Sequence, residues 1–124
     1  MIELQLFMDG SKIWYCDGNI HRTNGHAGTY SNGSQLWAYH GLLHRDNGPA
    51  IVTTDGRHEW YRHGQLHRTN GPAIVDLDKN ISSYWANGKC HRLDGPARTL
   101  ADGSVEYWVN GCKLTEFEFM FINK

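Results

Sequence analysis

The sequence predicts an all-β protein in which tandem β-hairpins form one elongated, twisted, single-layer antiparallel sheet with almost no helix. Three observations support this fold class. A ten-residue box recurs at a fixed period, and a hairpin signal recurs between the boxes. No stretch shows apolar residues at helical spacing over three turns.

The recurring box has the pattern Gly-x-x-His-Arg-x-x-Gly-Pro-Ala and is complete in segments 41–50, 64–73 and 88–97. A decayed copy begins at Gly18, and a fifth begins at Gly111 and then loses the pattern. The leading glycines fall at positions 18, 41, 64, 88 and 111, which gives spacings of 23, 23, 24 and 23 residues. A fixed period of this kind is typical of a repeat array that copies one supersecondary unit along the chain.

Between the boxes, Asp-Gly or Asn-Gly recurs four residues before an aromatic side chain. Such dipeptides between short β-prone runs predict hairpins, because glycine accepts the positive φ that a tight turn needs. Segments 50–53, 58–61, 73–75 and 105–108 are rich in β-branched and aromatic residues and therefore predict strands.

Each repeat carries two adjacent aromatic positions. We expect the rings of the first position to stack on the inner face of the sheet. Those of the second point the other way, because side chains alternate along a strand. The first position is filled by Trp14, Trp37, Trp60, Tyr84 and Tyr107, and the second by Tyr15, Tyr61, Trp85 and Trp108.

The chain has 124 residues, which is enough for one domain. Alternating apolar residues predict a cap strand over residues 1–8 and another over 115–124, since a repeat array needs atypical ends to close its apolar stack. The five units between these caps span approximately residues 9–31, 32–54, 55–78, 79–101 and 102–114.

Composition narrows the class of protein. A formal net charge of −1 provides no global field toward nucleic acid or membrane. The first ten residues lack a basic region, and no apolar run is long enough to span a bilayer, so no signal peptide and no membrane partner are expected. The three cysteines are odd in number and lack Cys-x-x-Cys spacing, which favours reduced thiols and a cytoplasmic location.

With these boxes the chain resembles the MORN repeat family, and in particular its antitoxin-like variant with Gly-x-x-His-Arg-x-x-Gly-Pro-Ala boxes, found in phage and bacterial proteins. The resemblance covers residues 9–114 and implies one hairpin in each repeat. It also implies a scaffold or inhibitor without family-wide catalytic residues, for example a viral protein that occludes a host protein in the host cytoplasm. The Tyr-x-Gly-x-Trp core of the family is only partly matched, so lipid binding is not carried over.

The His-Arg pairs of the boxes are the first candidates for chemistry, but the predicted geometry keeps them apart. Strands about 4.8 Å apart place equivalent side chains of successive repeats roughly 9–10 Å from one another. That separation is too large for a shared zinc ion, whose ligand atoms lie about 2 Å from the metal, or for proton transfer over about 3 Å. We therefore predict a non-enzymatic protein with no catalytic residue, no metal ligand and no cofactor.

The same residues can line one face of the sheet with hydrogen-bond donors beside aromatic rings, a composition typical of interface hot spots. The alternative is a structural role, in which each arginine binds turn carbonyls or the nearby Asp46 and Asp94 and each histidine packs on the next tryptophan. If the histidines are exposed, binding strengthens below about pH 6.5. The candidate face consists of His44, Arg45, His67, Arg68, His91, Arg92, Tyr61, Trp85 and Trp108.

Three functions stay open. The first is a protein-binding module, such as an inhibitor or antitoxin of the phage or plasmid type that occludes its partner through the aromatic and His-Arg face. The second is sequestration of an anionic small molecule or nucleic acid by the arginines. The third is a structural role, with homo-oligomers formed by the pairing of edge strands.

Overall fold

The structure, a computed structural model that describes residues 1–122, has the all-β hairpin-repeat fold that the sequence predicts. Within that range it contains short β-strands and one seven-residue helix, α1 (Glu116–Ile122). In chain order the strands are β1 (Ile2–Leu6), β2 (Lys12–Cys16), β3 (Asn19–Ile20), β4 (Gly28–Thr29), β5 (Gln35–Leu36), β6 (Ala38–Tyr39), β7 (Leu42–Leu43), β8 (Ile51–Val52), β9 (Arg57–Glu59), β10 (Tyr61–Arg62), β11 (Gln65–Leu66), β12 (Ile74–Asp76), β13 (Ile81–Ser83), β14 (Trp85–Ala86), β15 (Lys89–Cys90), β16 (Arg98–Thr99), β17 (Val105–Val109) and β18 (Cys112–Leu114).

The strands are arranged in two rows. Twelve of them form one antiparallel main sheet in the order β1-β2-β4-β5-β8-β9-β12-β13-β16-β17-β18, with β3 paired to β2. The other six form three separate hairpins, β6–β7, β10–β11 and β14–β15, which we call the hairpin row. Inner repeats therefore contribute two hairpins each, one to the main sheet and one to the hairpin row, where the family resemblance implies a single hairpin.

The first aromatic position is the corner between the two rows. The backbone N–H of Trp60 donates to the carbonyl of Ala73 in the main sheet at 2.7 Å. Its carbonyl accepts the N–H of His67, which follows the β10–β11 hairpin, at 3.0 Å. The chain thus changes rows at this residue.

The turns of the hairpin row contain the leading glycine of each box. His63 and Gly64 have φ values of 48° and 83°, so both central residues are left-handed, as a two-residue hairpin of type I′ requires. The N–H of each such glycine also reaches back to the preceding hairpin, for instance from Gly64 to the carbonyl of Leu43 at 2.8 Å. These bonds connect the hairpin row from one repeat to the next.

The core between the rows is thin and is made of small side chains. Within residues 1–122 no large side chain is fully buried. The alanine that ends each box is instead 0% exposed in all four boxes that retain it. These residues are Ala27, Ala50, Ala73 and Ala97.

The two ends of the array differ. The predicted N-terminal cap strand is present as β1, which pairs with β2 from Ile2 opposite Cys16 to Leu6 opposite Lys12. The predicted C-terminal cap strand over 115–124 is wrong, because residues 116–122 form α1; residues 123–124 lie outside the described range.

A capping box explains why the C-terminal segment is helical despite its alternating phenylalanines. The hydroxyl of Thr115 accepts the N–H of Glu118 at 3.1 Å, and the Glu118 carboxylate accepts the N–H of Thr115 at 2.9 Å. Phe119 is then buried against Tyr107, with ring centroids 4.6 Å apart. Within the described residues, no helix has the length and apolar character needed to cross a bilayer.

Candidate binding clefts

The arginine of each box is clamped between an aromatic ring and the loop that follows it. The guanidinium carbon of Arg45 lies 3.8 Å from the centroid of the Trp37 ring, and Nη1 donates to the carbonyl of Pro49 at 3.1 Å. A Cβ atom on Gly48 would lie 2.9 Å from the guanidinium carbon, so a larger residue at this box position would displace the end of the Arg45 side chain. A cation–π contact of this kind contributes about 0.5–2 kcal/mol.

The arrangement recurs in the other boxes, with guanidinium-to-ring distances of 4.7, 3.8 and 4.0 Å in the first, third and fourth repeats. The expected stack of aromatic rings is therefore wrong, since within residues 1–122 none of the five rings contacts another of the set. The arginine–ring pairs are Arg22 on Trp14, Arg45 on Trp37, Arg68 on Trp60 and Arg92 on Tyr84.

The histidine of each box connects one repeat to the next. Nδ1 of His67 accepts the backbone N–H of Asn87 at 3.0 Å, and Asn87 opens the turn of the following hairpin. His21, His44 and His91 accept the equivalent N–H at 2.8, 2.9 and 2.9 Å. The histidines thus bond to the next turn rather than packing on the next tryptophan.

Acceptance at Nδ1 fixes the tautomer of these rings, because a neutral imidazole then carries its hydrogen on Nε2. In the second repeat Nε2 of His44 meets Oδ1 of Asp46 at 2.8 Å. In the third repeat Thr69 replaces the aspartate, and Nε2 of His67 is buried without a hydrogen-bond partner among residues 1–122. Nε2 of His67 is therefore a buried polar atom that its own repeat leaves unpaired.

The loops that carry the His-Arg pairs, residues 21–27, 44–50, 67–73 and 91–97, leave a cleft between each loop and the next. The first cleft has a volume of about 470 Å³, the central cleft about 580 Å³ and the third cleft about 450 Å³. The three clefts form a row along the side of the array that carries the His-Arg loops.

The central cleft has the strongest excess of positive charge. It is lined by Arg45, Arg62 and Arg68, and by one carboxylate, Asp46, which already meets the His44 imidazole. Arg45 and Arg68 each use one side-chain hydrogen bond within the described residues, although a guanidinium has five N–H donors. His67 lines the same cleft.

The third cleft has the same framework and a different charge balance. Arg68 and Arg92 line it, and Asp94 binds Nε of Arg92 at 2.9 Å. Ala86 stands at the position that Arg62 occupies one repeat earlier. The first cleft contains Arg22 and Arg45 together with Asp46.

The predicted binding face is only partly assembled. The central cleft unites Arg45, His67, Arg68 and Tyr61, and the third cleft unites His67, Arg68, His91, Arg92 and Trp85. His44 lies in the first cleft. Trp108 lines none of the three clefts and instead borders a smaller cavity of about 250 Å³ together with Trp85 and Cys90.

The polar atoms of the three predicted aromatic residues are already bonded within their own repeats. The Tyr61 hydroxyl donates to Glu59 at 2.9 Å, and the indole N–H of Trp85 donates to Ser83 at 2.8 Å. The indole of Trp108 donates to Glu106 at 2.9 Å. Burial, with the neighbouring Glu59 carboxylate, raises the pKa of Tyr61 to about 12, so its hydroxyl stays protonated near neutral pH.

Arg62 is the site residue that sequence reasoning missed. It is exposed at the end of β10 and lines the central cleft. The signal that could have found it is its departure from the repeat, because the equivalent positions hold an uncharged residue in every other repeat. Those residues are Cys16, Tyr39, Ala86 and Val109.

The histidines differ in exposure: His21 is 5% and His44 is 13% exposed, whereas His40 and His63 in the hairpin turns are exposed. Among residues 1–122, no group of three or more His, Cys, Asp or Glu side chains is placed to hold a metal ion.

Fold and loops together define a β-hairpin repeat protein with a row of polar clefts along one side. Comparison with known proteins gives no match to any family model, to any curated protein or to any solved structure.

Proposed function

We propose that this chain is a non-enzymatic protein-binding module whose central cleft receives an acidic segment of a partner protein. One observation carries the proposal: three arginines, Arg45, Arg62 and Arg68, surround a cleft whose one carboxylate is already engaged. A carboxylate side chain is the group that such donors bind best.

The scaffold supports this role by holding two of the arginines in place before a partner arrives. Arg45 and Arg68 each stack on a tryptophan at 3.8 Å and donate to a proline carbonyl at 3.1 Å. Binding therefore costs little side-chain entropy at these residues, because their rotamers are already fixed. Their planar guanidinium groups can offer two parallel N–H donors to one carboxylate.

The histidine and cysteine side chains, which often act in catalysis, support a binding role for this chain rather than a catalytic one. Nδ1 of each box histidine accepts a backbone N–H of the next repeat, so the ring is not free to act as a general base through that atom. Burial raises the pKa of the Cys90 thiol to about 11, which keeps it protonated near neutral pH. In this proposal the box histidines and Cys90 therefore serve the scaffold.

A protein segment fits the row of clefts better than a continuous polyanion does. Asp46 and Asp94 stand at the loop tips, and Asp94 neutralises Arg92 in the third cleft. A nucleic acid running along the row would meet both Asp46 and Asp94 beside its phosphates, whereas a short acidic segment in the central cleft would meet Asp46 alone. The inhibitor or antitoxin role that the family resemblance implies is the narrower form of this proposal.

The second candidate is capture of a small anion, which the volume of the central cleft favours. About 580 Å³ lies within the range of roughly 300–1,000 Å³ that small-molecule sites occupy. The two candidates share their recognition chemistry and differ in how much surface outside the cleft takes part.

Three probes distinguish binding of an acidic protein segment from binding of nucleic acid: short peptides with a central Asp-Glu pair, their Asn-Gln counterparts, and a single-stranded oligonucleotide of equal charge. We expect calorimetry to show binding of the Asp-Glu peptide only, with loss of about tenfold in affinity for Arg62→Gln. Lys89→Gln, which changes an exposed cation outside the central cleft, is the matched control. Equal affinity of both variants, or tighter oligonucleotide binding with a steep salt dependence, overturns the proposal.

A further inference from the structure

The strand β1 leaves one edge of the main sheet open. Within residues 1–122 it pairs with β2 alone. The N–H of Phe7 donates to the carbonyl of Ser11 at 2.8 Å, and the carbonyl of Met1 accepts the N–H of Asp17 at 3.2 Å. Because inward and outward backbone groups alternate along an antiparallel strand, Ile2, Leu4 and Leu6 direct their N–H and carbonyl groups away from β2.

The residues with outward backbone groups are also apolar and exposed. Ile2, Leu4 and Leu6 are 61%, 42% and 66% exposed, respectively. Proteins commonly protect an edge strand with lysine, proline or a bulge. The sequence of β1, Ile-Glu-Leu-Gln-Leu, contains no lysine or proline, and its register with β2 runs without a bulge.

The opposite end of the sheet is protected in two ways. The terminal strand β18 is three residues long and carries Lys113 at its centre. The helix α1 follows directly and packs against β17 and β18, with Phe119 buried on Tyr107. The open, apolar edge is thus a property of one end of the molecule.

From this edge we infer that β1 pairs antiparallel with β1 of a second copy of the chain, about a two-fold axis that passes at Leu4. In this register Leu4 faces Leu4 of the second copy, and Ile2 faces Leu6 in both directions. All three outward residues of each strand then form hydrogen-bonded pairs. The apolar side chains meet in one row, and the interface is self-complementary, as a two-fold contact must be.

Charge selects this register over its neighbours. On the other face of the strand, Glu3 lies opposite Gln5 of the second copy, where an amide can donate to the carboxylate. Sliding the strands so that Glu3 is at the axis places two Glu3 carboxylates opposite each other, which is unfavourable. Sliding them the other way leaves Ile2 without a partner strand.

The helix α1 of another copy is a poorer occupant, although Phe117 and Phe121 are 69% and 61% exposed there. A helix satisfies its backbone groups internally, so it cannot bond to the open N–H and carbonyl groups of β1. A β1–β1 pair instead extends the main sheet into the second copy. It would also place two rows of clefts on one particle, so that a partner with two acidic segments is held with increased avidity.

Single cysteines test both the dimer and its register. Leu4→Cys and Leu6→Cys are each made in a chain with Cys16→Ser and Cys112→Ser, which keeps the buried Cys90. In the inferred register two residues at position 4 have Cα atoms about 5.5 Å apart, within disulfide range. Two residues at position 6 are separated by four positions along the strand, roughly 13 Å, which is beyond that range.

We expect Leu4→Cys to form a covalent dimer on mild oxidation and Leu6→Cys to stay uncross-linked. Equal cross-linking of the two variants indicates contact through random collision or another register, and overturns the inference. Sedimentation of the unmodified chain should show a dimer, and Leu4→Lys should give a monomer with an unchanged circular dichroism spectrum. A monomer for the unmodified chain at every concentration overturns the inference as well, whichever result the peptide experiments give.

Discussion

The central and third clefts are built by the same ten-residue box and differ in what they offer to a ligand. In both, an arginine is clamped on a ring, donates to a proline carbonyl and lies beside a histidine that bonds to the next hairpin. The central cleft adds Arg62, whereas the third has Ala86 at that position and pairs Arg92 with Asp94. Residues that recur in every box hold the scaffold, and residues that depart from the box decide the charge of each cleft.

The decayed first repeat and a complete box differ in how tightly their arginine is packed. A Cβ atom on Gly25 would lie 3.6 Å from the guanidinium carbon of Arg22, which is an ordinary contact, whereas the equivalent distance from Gly48 to Arg45 is 2.9 Å. The guanidinium-to-ring distances are 4.7 Å for Arg22 and 3.8 Å for Arg45. A complete box therefore clamps its arginine more tightly than the decayed copy does.

Gly48→Ala breaks the tight clamp, and Gly25→Ala is its matched control in the loose one. The new methyl group of Gly48→Ala must displace the guanidinium of Arg45, which then loses its ring contact and its bond to Pro49. We expect a loss of about 1–2 kcal/mol in the free energy of unfolding. Gly25→Ala should cost less than about 0.5 kcal/mol.

Urea unfolding of both variants measures the difference. Similar losses for Gly48→Ala and Gly25→Ala would mean that the arginine contact contributes little to the stability of a complete box.

His26 occupies the proline position of the first repeat and gives that repeat a pH dependence that the complete boxes lack at this position. Burial lowers the pKa of His26 below its ordinary value of 6.5, and the charges of Arg22 and Arg45 lower it further. The unfolded chain therefore binds this proton more tightly. The contribution of His26 to stability is present above about pH 6.5 and is lost as the pH falls.

The variant His26→Pro restores the box and removes this group. We expect the unmodified chain to lose more stability than His26→Pro when the pH is lowered from about 7 to about 5. Thermal unfolding of the two proteins at matched pH values measures this difference in the loss of stability. Parallel curves for the two proteins would contradict the assignment, because acid lability would then come from groups that both proteins share.

Local turn chemistry explains why the fold class could be predicted. Asp-Gly and Asn-Gly at a fixed period indicate hairpins without any knowledge of tertiary contacts, and the main-sheet turns form where these dipeptides predict them. The hairpin row was missed although Asn87-Gly88 in the β14–β15 turn carries the same signal, as do Asp17-Gly18 and Asn110-Gly111 in the β2–β3 and β17–β18 hairpins of the main sheet. At the equivalent positions of the second and third repeats, His40 and His63 adopt φ values of 51° and 48°. A positive φ is uncommon for residues other than glycine, and a His-Gly pair is not one of the dipeptides that predict a hairpin.

The clefts were harder to predict than the residues that line them. Recurrence identified the His-Arg pairs, but the bonds from the histidines to the next hairpin depend on how neighbouring repeats meet. The alternating phenylalanines near the C-terminus favour a strand when only their spacing is considered. The Thr115–Glu118 capping box instead favours a helix. In the first case a contact between repeats determined the structure, and in the second a capping box within one short segment did.

Asp94→Asn sharpens the comparison between the two clefts with little effect on stability. Asp94 is 85% exposed, and its ion pair with Arg92 is largely in solvent, so we expect little change in the free energy of unfolding. The Arg92 guanidinium lowers the pKa of the Asp94 carboxyl, which keeps it charged near neutral pH and holds Nε of Arg92. Removing that charge frees a donor toward the third cleft.

If charge distinguishes the clefts, Asp94→Asn combined with Ala86→Arg converts the third cleft into a second binding site. Calorimetry with the Asp-Glu peptide should then show a stoichiometry of two rather than one, with the new site a few-fold weaker because Trp85 lines it in place of Tyr61. Asp94→Asn alone, which lacks the added arginine, is the control and should show a smaller gain. Unchanged stoichiometry in the double variant would mean that the shape of the central cleft, and not the arginine count around it, selects the ligand.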